Sequence, residues 1–125
     1  MTEWSRVSLR FLESNVVEEL LFRATLIPFF EITGKWLFDM VSTQRAIVAT
    51  SIAFSLFHFG AVLNAPNALA EEAAIINLFS SFAIGLFLGV VYSRSRNLLS
   101  VTALHWWLNL QNELMQYMAF RILWQ

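Results

Sequence analysis

Three short groups of polar side chains interrupt an otherwise apolar sequence, and their types are those of acid–base and oxyanion chemistry. The first is Glu18-Glu19-Leu20-Leu21-Phe22-Arg23. On a helix, Glu19 and Arg23 stand one turn apart on a common face and can form an ion pair. Glu18 is rotated by about 100° from Glu19 and cannot share that geometry equally well. One carboxylate is therefore neutralised and the other is left free. The second group is Phe54-Ser55-Leu56-Phe57-His58, in which Phe54 lies one turn beneath His58 and can pack against its ring. The third is His105-Trp106-Trp107-Leu108-Asn109. Its spacing puts His105 and Asn109 on one face, where both can donate hydrogen bonds to a single oxygen. Peptide hydrolysis needs such a set: a base to activate water, and donors for the oxyanion that develops on the scissile carbonyl.

Each group has an ordinary reading when taken alone. The first is then a buried ion pair with a second glutamate snorkelling near a helix start. His58 becomes a hydrogen-bonded structural histidine. His105 and Asn109 become an interhelical polar clamp of the kind membrane bundles use. The weight lies in the three occurring together.

The elements that must position these groups follow from composition. Of 125 residues, 58% are hydrophobic and only 14% are charged, with a mean hydropathy of +0.59. Ordinary soluble domains are about 45–50% apolar and about 25% charged. The length suits one domain. A net charge of -1 gives no electrostatic case for nucleic acid, and the lack of cysteine excludes a disulfide framework and thiolate chemistry. Met1 to Arg6 does not read as a signal peptide, because Glu13, Glu18, Glu19 and Arg23 interrupt the first apolar stretch.

Four apolar segments approach the roughly 20 residues that cross a bilayer. They run over about 14–32, 46–63, 73–92 and 98–120. Ser14 or Asn15 is the expected N-cap of the first, and Ser42 or Thr43 of the second. Asn64-Ala65-Pro66-Asn67 closes the second, and Arg94-Ser95-Arg96-Asn97 separates the third from the fourth. The apolar runs are too long for strands and show no alternation. The fold expected is all-α: a polytopic membrane bundle of about four transmembrane helices, in a single domain over 1–125. A soluble amphipathic bundle would need a polar face on every helix. The third offers only Asn77, Ser80 and Ser81 between Ala73 and Tyr92. Its Gly85 and Gly89 have a small-xxx-small spacing, suited equally to packing within the chain and between chains.

An ionisable group within the bilayer costs on the order of 2.5–3.5 kcal/mol and needs a partner or a role. At about 1.5 Å per residue, His58 lies roughly 18 Å along its helix. Asn109 reaches a similar depth from the same side, with His105 one turn shallower. Glu18 and Glu19 enter from the opposite side. All can converge in one layer, nearer the Asn64–Glu72 loop. Cationic residues flank both faces almost equally and leave the orientation open.

The Glu-Glu-x-x-x-Arg of Glu18–Arg23, the Phe-x-x-x-His of Phe54–His58 and the His-x-x-x-Asn of His105–Asn109 resemble the three signatures of the CPBP family. This family comprises the CAAX prenyl-protease type intramembrane endopeptidases and the bacteriocin-processing or self-immunity proteins, also called ABI. The order is right, and the resemblance spans about Ser14 to Asn112. It implies a glutamate-dependent protease in a multi-pass membrane protein, of a bacterial-type cytoplasmic membrane. Its substrate would be a membrane-associated or lipidated protein. By the resemblance, Glu18 is the general base acting on a water held with help from His58, and His105 and Asn109 form the oxyanion hole. Glu19 and Arg23 are the supporting pair, and Phe54 packs the site. Two histidines and a glutamate are also zinc-ligand types. No His-Glu-x-x-His is present, and base-plus-oxyanion chemistry uses every residue without a cofactor, so no metal is expected.

The chain departs from the family in beginning only 17 residues before Glu18, where relatives commonly carry further helices. It reads as a minimal member or as part of a longer protein. Two other classes of function compete. One is a non-catalytic scaffold or bacteriocin self-immunity protein that binds a partner peptide in the same cavity. The other is a proton or ion carrier using Glu18, Glu19 and His58, which leaves the His105–Asn109 pairing unexplained. Trp106 and Trp107 read most simply as lipid-facing aromatics.

Overall fold

The computed structural model describes residues 3–38 and 43–123, and every element among them is helical. The first rod is α1 (Glu3–Glu19), a π-helical segment (Leu20–Leu26) and α2 (Ile27–Phe38) in unbroken succession. The second is α3 (Thr43–Phe57) followed by the short α4 (Phe59–Leu63). Two single helices complete the bundle, α5 (Ala68–Ser95) and α6 (Leu98–Leu123). The all-α expectation holds. The most extensive interface joins α3 to α5, while α1 lies against α6 and α2 against α3.

The helices outrun their expected bounds at several ends. Ser14 and Asn15 do not cap anything, because α1 starts at Glu3 and passes straight through them. Asn15 is buried against α6 and Ser14 donates to Glu18 one turn on, uses that local capping preference does not anticipate. Thr43 begins α3, while Ser42 lies outside the described residues. The two breaks fall where expected. Asn67 caps α5 by accepting a hydrogen bond from Ala70 N at 2.9 Å, with Glu71 favouring the positive end of the helix dipole. At the far end Arg96 turns the chain in a left-handed conformation (φ 48°). A non-glycine residue pays for that geometry, and two contacts offset it: an ion pair to Glu31 at 3.0 Å and a guanidinium stacked 5.7 Å from the Tyr92 ring.

The π segment has an identifiable cause in Pro28. Proline cannot donate to the carbonyl one turn earlier, and its ring crowds that carbonyl. The ladder widens just before it, and within the widened segment Thr25 Oγ1 donates to the Leu20 carbonyl at 2.9 Å.

Gly85 and Gly89 settle their role inside the chain. A Cβ on Gly89 would lie 2.7 Å from Ile47 Cγ2, and one on Gly85 would lie 3.2 Å from the Ser51 backbone. Both glycines let α3 approach α5 closely. Below this contact lies the apolar core of Ile27, Ala46, Ile47, Leu88, Tyr92 and Val101.

Polarity is inverted relative to a water-soluble bundle. The largest fully buried side chains include Arg23, Glu19 and Asn15, while Ile32, Phe79 and Leu99 are 69%, 69% and 79% exposed. Two helical stretches, Thr43–Leu63 and Ala68–Ser95, are long and apolar enough to cross a membrane. Only 33% and 22% of their most apolar windows are buried within the protein, so they are not the hidden core helices of a soluble fold. α5, at 28 residues, is about 42 Å long and exceeds a hydrocarbon core of about 30 Å. Both rods that fall short of the test, the first and α6, carry the ionisable residues of the first and third motifs.

Candidate active site

All three polar groups meet in one place. An open cavity of about 860 Å³ is lined by Glu18, Phe54, His58, His105 and Asn109, and further by Ser14, Asn77, Ser80, Ser81, Asn112 and Glu113 among others. Helix α1 supplies one wall, the end of α3 a second, α5 a third and α6 the fourth.

Glu19 and Arg23 pair as their spacing requires, with Nε 3.2 Å from Oε2 and both side chains almost wholly buried. The contact is charge on charge rather than an aligned hydrogen bond, since Oε2 accepts none. The Arg23 guanidinium also donates to the Gly85 carbonyl at 3.5 Å and lies 4.8 Å from the centre of the Phe54 ring. The other oxygen of Glu19 has a partner the spacing alone does not reveal. His105 Nδ1 lies 2.8 Å from Glu19 Oε1, and Nε2 of the same ring lies 3.9 Å from Glu18 Oε2. His105 thus bridges the two glutamates.

Glu18 is the carboxylate with room for other work. It is partly exposed to the cavity, is not the carboxylate ion-paired with Arg23, and accepts a hydrogen bond from Ser14 Oγ at 2.8 Å.

His58 stands at the break between α3 and α4, where its backbone leaves the helical ladder (φ -85°, ψ -5°). Its Nδ1 is 2.9 Å from the Phe54 carbonyl. A carbonyl only accepts, so Nδ1 carries the proton, and the neutral ring is left with the lone pair on Nε2. Phe54 is the buried hub beneath both imidazoles: its ring meets His58 edge-on at 4.9 Å, His105 at 5.8 Å and Phe22 at 5.0 Å.

Asn109 stands one turn from His105 on α6 and donates to Asn15 Oδ1 at 2.9 Å. Asn77, Ser80 and Ser81 of α5, its only polar residues between Ala73 and Tyr92, form the facing wall. Sequence reasoning missed Asn15 and Ser14 as partners of the site. Their position one turn ahead of Glu19 and Glu18 was the available signal. Trp107 is exposed on the outer surface, whereas Trp106 is half-buried.

The cavity wall carries four residues of metal-ligand type, Glu18, Glu113, His58 and His105. Among the described residues, no three His, Cys, Asp or Glu side chains are gathered as ligands of one ion would be. The donor set suits hydrogen bonding and proton transfer.

The sequence model of the Type II CAAX prenyl endopeptidase Rce1-like family matches residues 2–111. That stretch holds all three motifs and every lining residue but Asn112 and Glu113. The chain belongs to this family. Its membership agrees with the CPBP resemblance, and at the level of the family the chain is a membrane-embedded peptidase of CAAX-protease type. No curated protein and no solved structure matches the chain. The Rce1-like assignment therefore rests on the family pattern, and the convergence of its motif residues in one cavity is an independent geometric observation.

Proposed function

We propose that this chain is a glutamate-dependent intramembrane endopeptidase that hydrolyses a peptide bond in a membrane-associated, prenylated substrate. The observation that carries the reading is the single cavity shared by Glu18, His58, His105 and Asn109, with Glu18 the carboxylate not engaged by Arg23. In this mechanism a water in the cavity donates to Glu18 and to the lone pair of His58 Nε2. Glu18 takes its proton as the water oxygen attacks the scissile carbonyl. The carbonyl oxygen becomes an oxyanion, stabilised by His105 Nε2–H and an Asn109 N–H. Collapse of the tetrahedral intermediate breaks the C–N bond, and Glu18 passes the proton to the leaving amine.

The geometry adds a condition on His105. Its Nδ1 already donates to Glu19, so donation from Nε2 requires the doubly protonated ring. That imidazolium offsets the excess negative charge of the Glu18, Glu19 and Arg23 set. No metal enters the scheme. The chain acts as one core that crosses the membrane about four times, with the inverted polarity of its surface supporting the two less apolar rods as spans.

The test is Glu18→Gln in purified, folded protein, assayed on a prenylated CAAX-type reporter peptide. The amide keeps the shape and most hydrogen bonding but cannot take the proton. Cleavage should fall by at least about 100-fold, in line with general-base catalysis. Cleavage at the original rate would remove the mechanism.

A further inference from the structure

Helices α1 and α6 are joined across the site by two polar rungs, Glu19 to His105 at 2.8 Å and Asn15 to Asn109 at 2.9 Å. One turn forward on α1 meets one turn back on α6, as an antiparallel pair requires. The two residues on α6 are the oxyanion donors of the proposed mechanism. The two on α1 are both buried. Glu19 orients one donor, and the same logic assigns a task to the residue that meets the other.

We infer that Asn15 is a positioning residue that holds the Asn109 carboxamide in register for the oxyanion, an inference that rests on the peptidase reading. Asn15 is 1% exposed and does not line the cavity, so it does not touch substrate. As a stabilising element it is poor, because its Nδ2 is buried with no partner. An apolar side chain of similar volume would fill the space without that cost. What Asn15 does supply is an acceptor for one N–H of Asn109. The terminal torsion of an asparagine is broad and roughly two-fold, so an unanchored carboxamide swings. With one N–H held by Asn15 Oδ1, the plane of Asn109 is fixed and its second N–H remains for the cavity. Turning both amides over preserves the same pairing and still ties Asn109 to Asn15.

The experiment compares full-length wild type, Asn15→Leu, Asn15→Ala, Asn109→Ala and the Asn15→Ala/Asn109→Ala double variant on the prenylated reporter peptide, alongside thermal unfolding in detergent. Asn15→Leu should unfold at or above the wild-type temperature, with kcat lowered by about 10–100-fold and KM changed little, as for other residues that orient a reacting group. The double variant should be no slower than Asn109→Ala alone, because Asn15 acts through Asn109. In NMR of micelle-held protein, the Asn109 side-chain amide signals should shift and exchange faster with water in Asn15→Ala. A folded Asn15 variant with wild-type kcat, or rates that multiply in the double variant, would overturn the inference. A wild type that does not cleave, or cleaves independently of Glu18, overturns the peptidase reading and this inference with it. Glu18-dependent cleavage that ignores Asn15 overturns the inference alone.

Discussion

His105 and Glu19 are hydrogen-bonded through Nδ1 and Oε1 at 2.8 Å, with both side chains buried between α1 and α6. This contact turns the second glutamate of the Glu-Glu motif into more than the counter-ion of Arg23. It holds one imidazole nitrogen, points the other at Glu18, and ties the two helices that carry the acid–base and oxyanion groups.

Breaking that set has separable consequences. Glu19→Ala should cost about 3–5 kcal/mol, because the Arg23 charge is left buried and uncompensated. Replacing both partners by leucine should recover much of that loss, since a buried ion pair is commonly no more stabilising than apolar packing. Activity should stay low in both, because His105 has lost its anchor. Thermal unfolding in detergent beside a cleavage assay reads the two effects apart, and recovery of activity in the double variant would argue against an orienting role for Glu19.

The two histidines should differ in their proton inventory. His58 donates from Nδ1 to the Phe54 carbonyl, so in neutral form it is the Nδ1–H tautomer. His105 should carry both ring protons in the oxyanion-donating step, because Nδ1 is already engaged by Glu19 and only an Nε2–H can donate to the oxyanion. Nitrogen-15 shifts of the two rings distinguish these states directly. A neutral His105 in active protein would contradict donation from its Nε2 to the oxyanion.

Phe54 meets both imidazoles and the Arg23 guanidinium. Phe54→Ala should cost about 3–5 kcal/mol and loosen the whole site, whereas Phe54→Leu should keep most of the stability. The expected signature in Phe54→Leu is a lower kcat with near-normal unfolding. An unchanged kcat would mean that ring packing does not hold the histidines.

Removing metal should change nothing. Dialysis against a chelator should leave cleavage at its starting rate, since the proposed chemistry uses carboxylate and hydrogen-bond donors alone. Activity lost on chelation and restored by zinc would refute this prediction.

Close packing of α3 on α5 should be intolerant of size. Gly89→Leu should destabilise by about 1–3 kcal/mol through the clash with Ile47. Gly60→Ala serves as the control, because a Cβ there meets nothing within 4 Å. Equal unfolding temperatures for the two variants would show that the interface yields.

Much of this molecule was legible from residue types and spacing. Long apolar runs dictate helices, because an unpaired backbone group in an apolar medium is too costly to leave open. Turn chemistry at Asn64–Asn67 and Arg94–Asn97 marks where two of them end. Intervals of four residues put Glu19 beside Arg23, Phe54 beneath His58 and His105 beside Asn109, since a helix repeats locally whatever surrounds it. Contacts between helices follow no such local period. Register across α1 and α6 decides that Glu19 meets His105 and that Asn15, an expected capping residue, meets Asn109 instead. Approach of α3 to α5 decides that Gly85 and Gly89 serve this chain's own packing. The same approach brings the polar face of α5 to the cavity wall. Pairwise meetings of this kind depend on how whole helices stack, and stacking is set by all their side chains together.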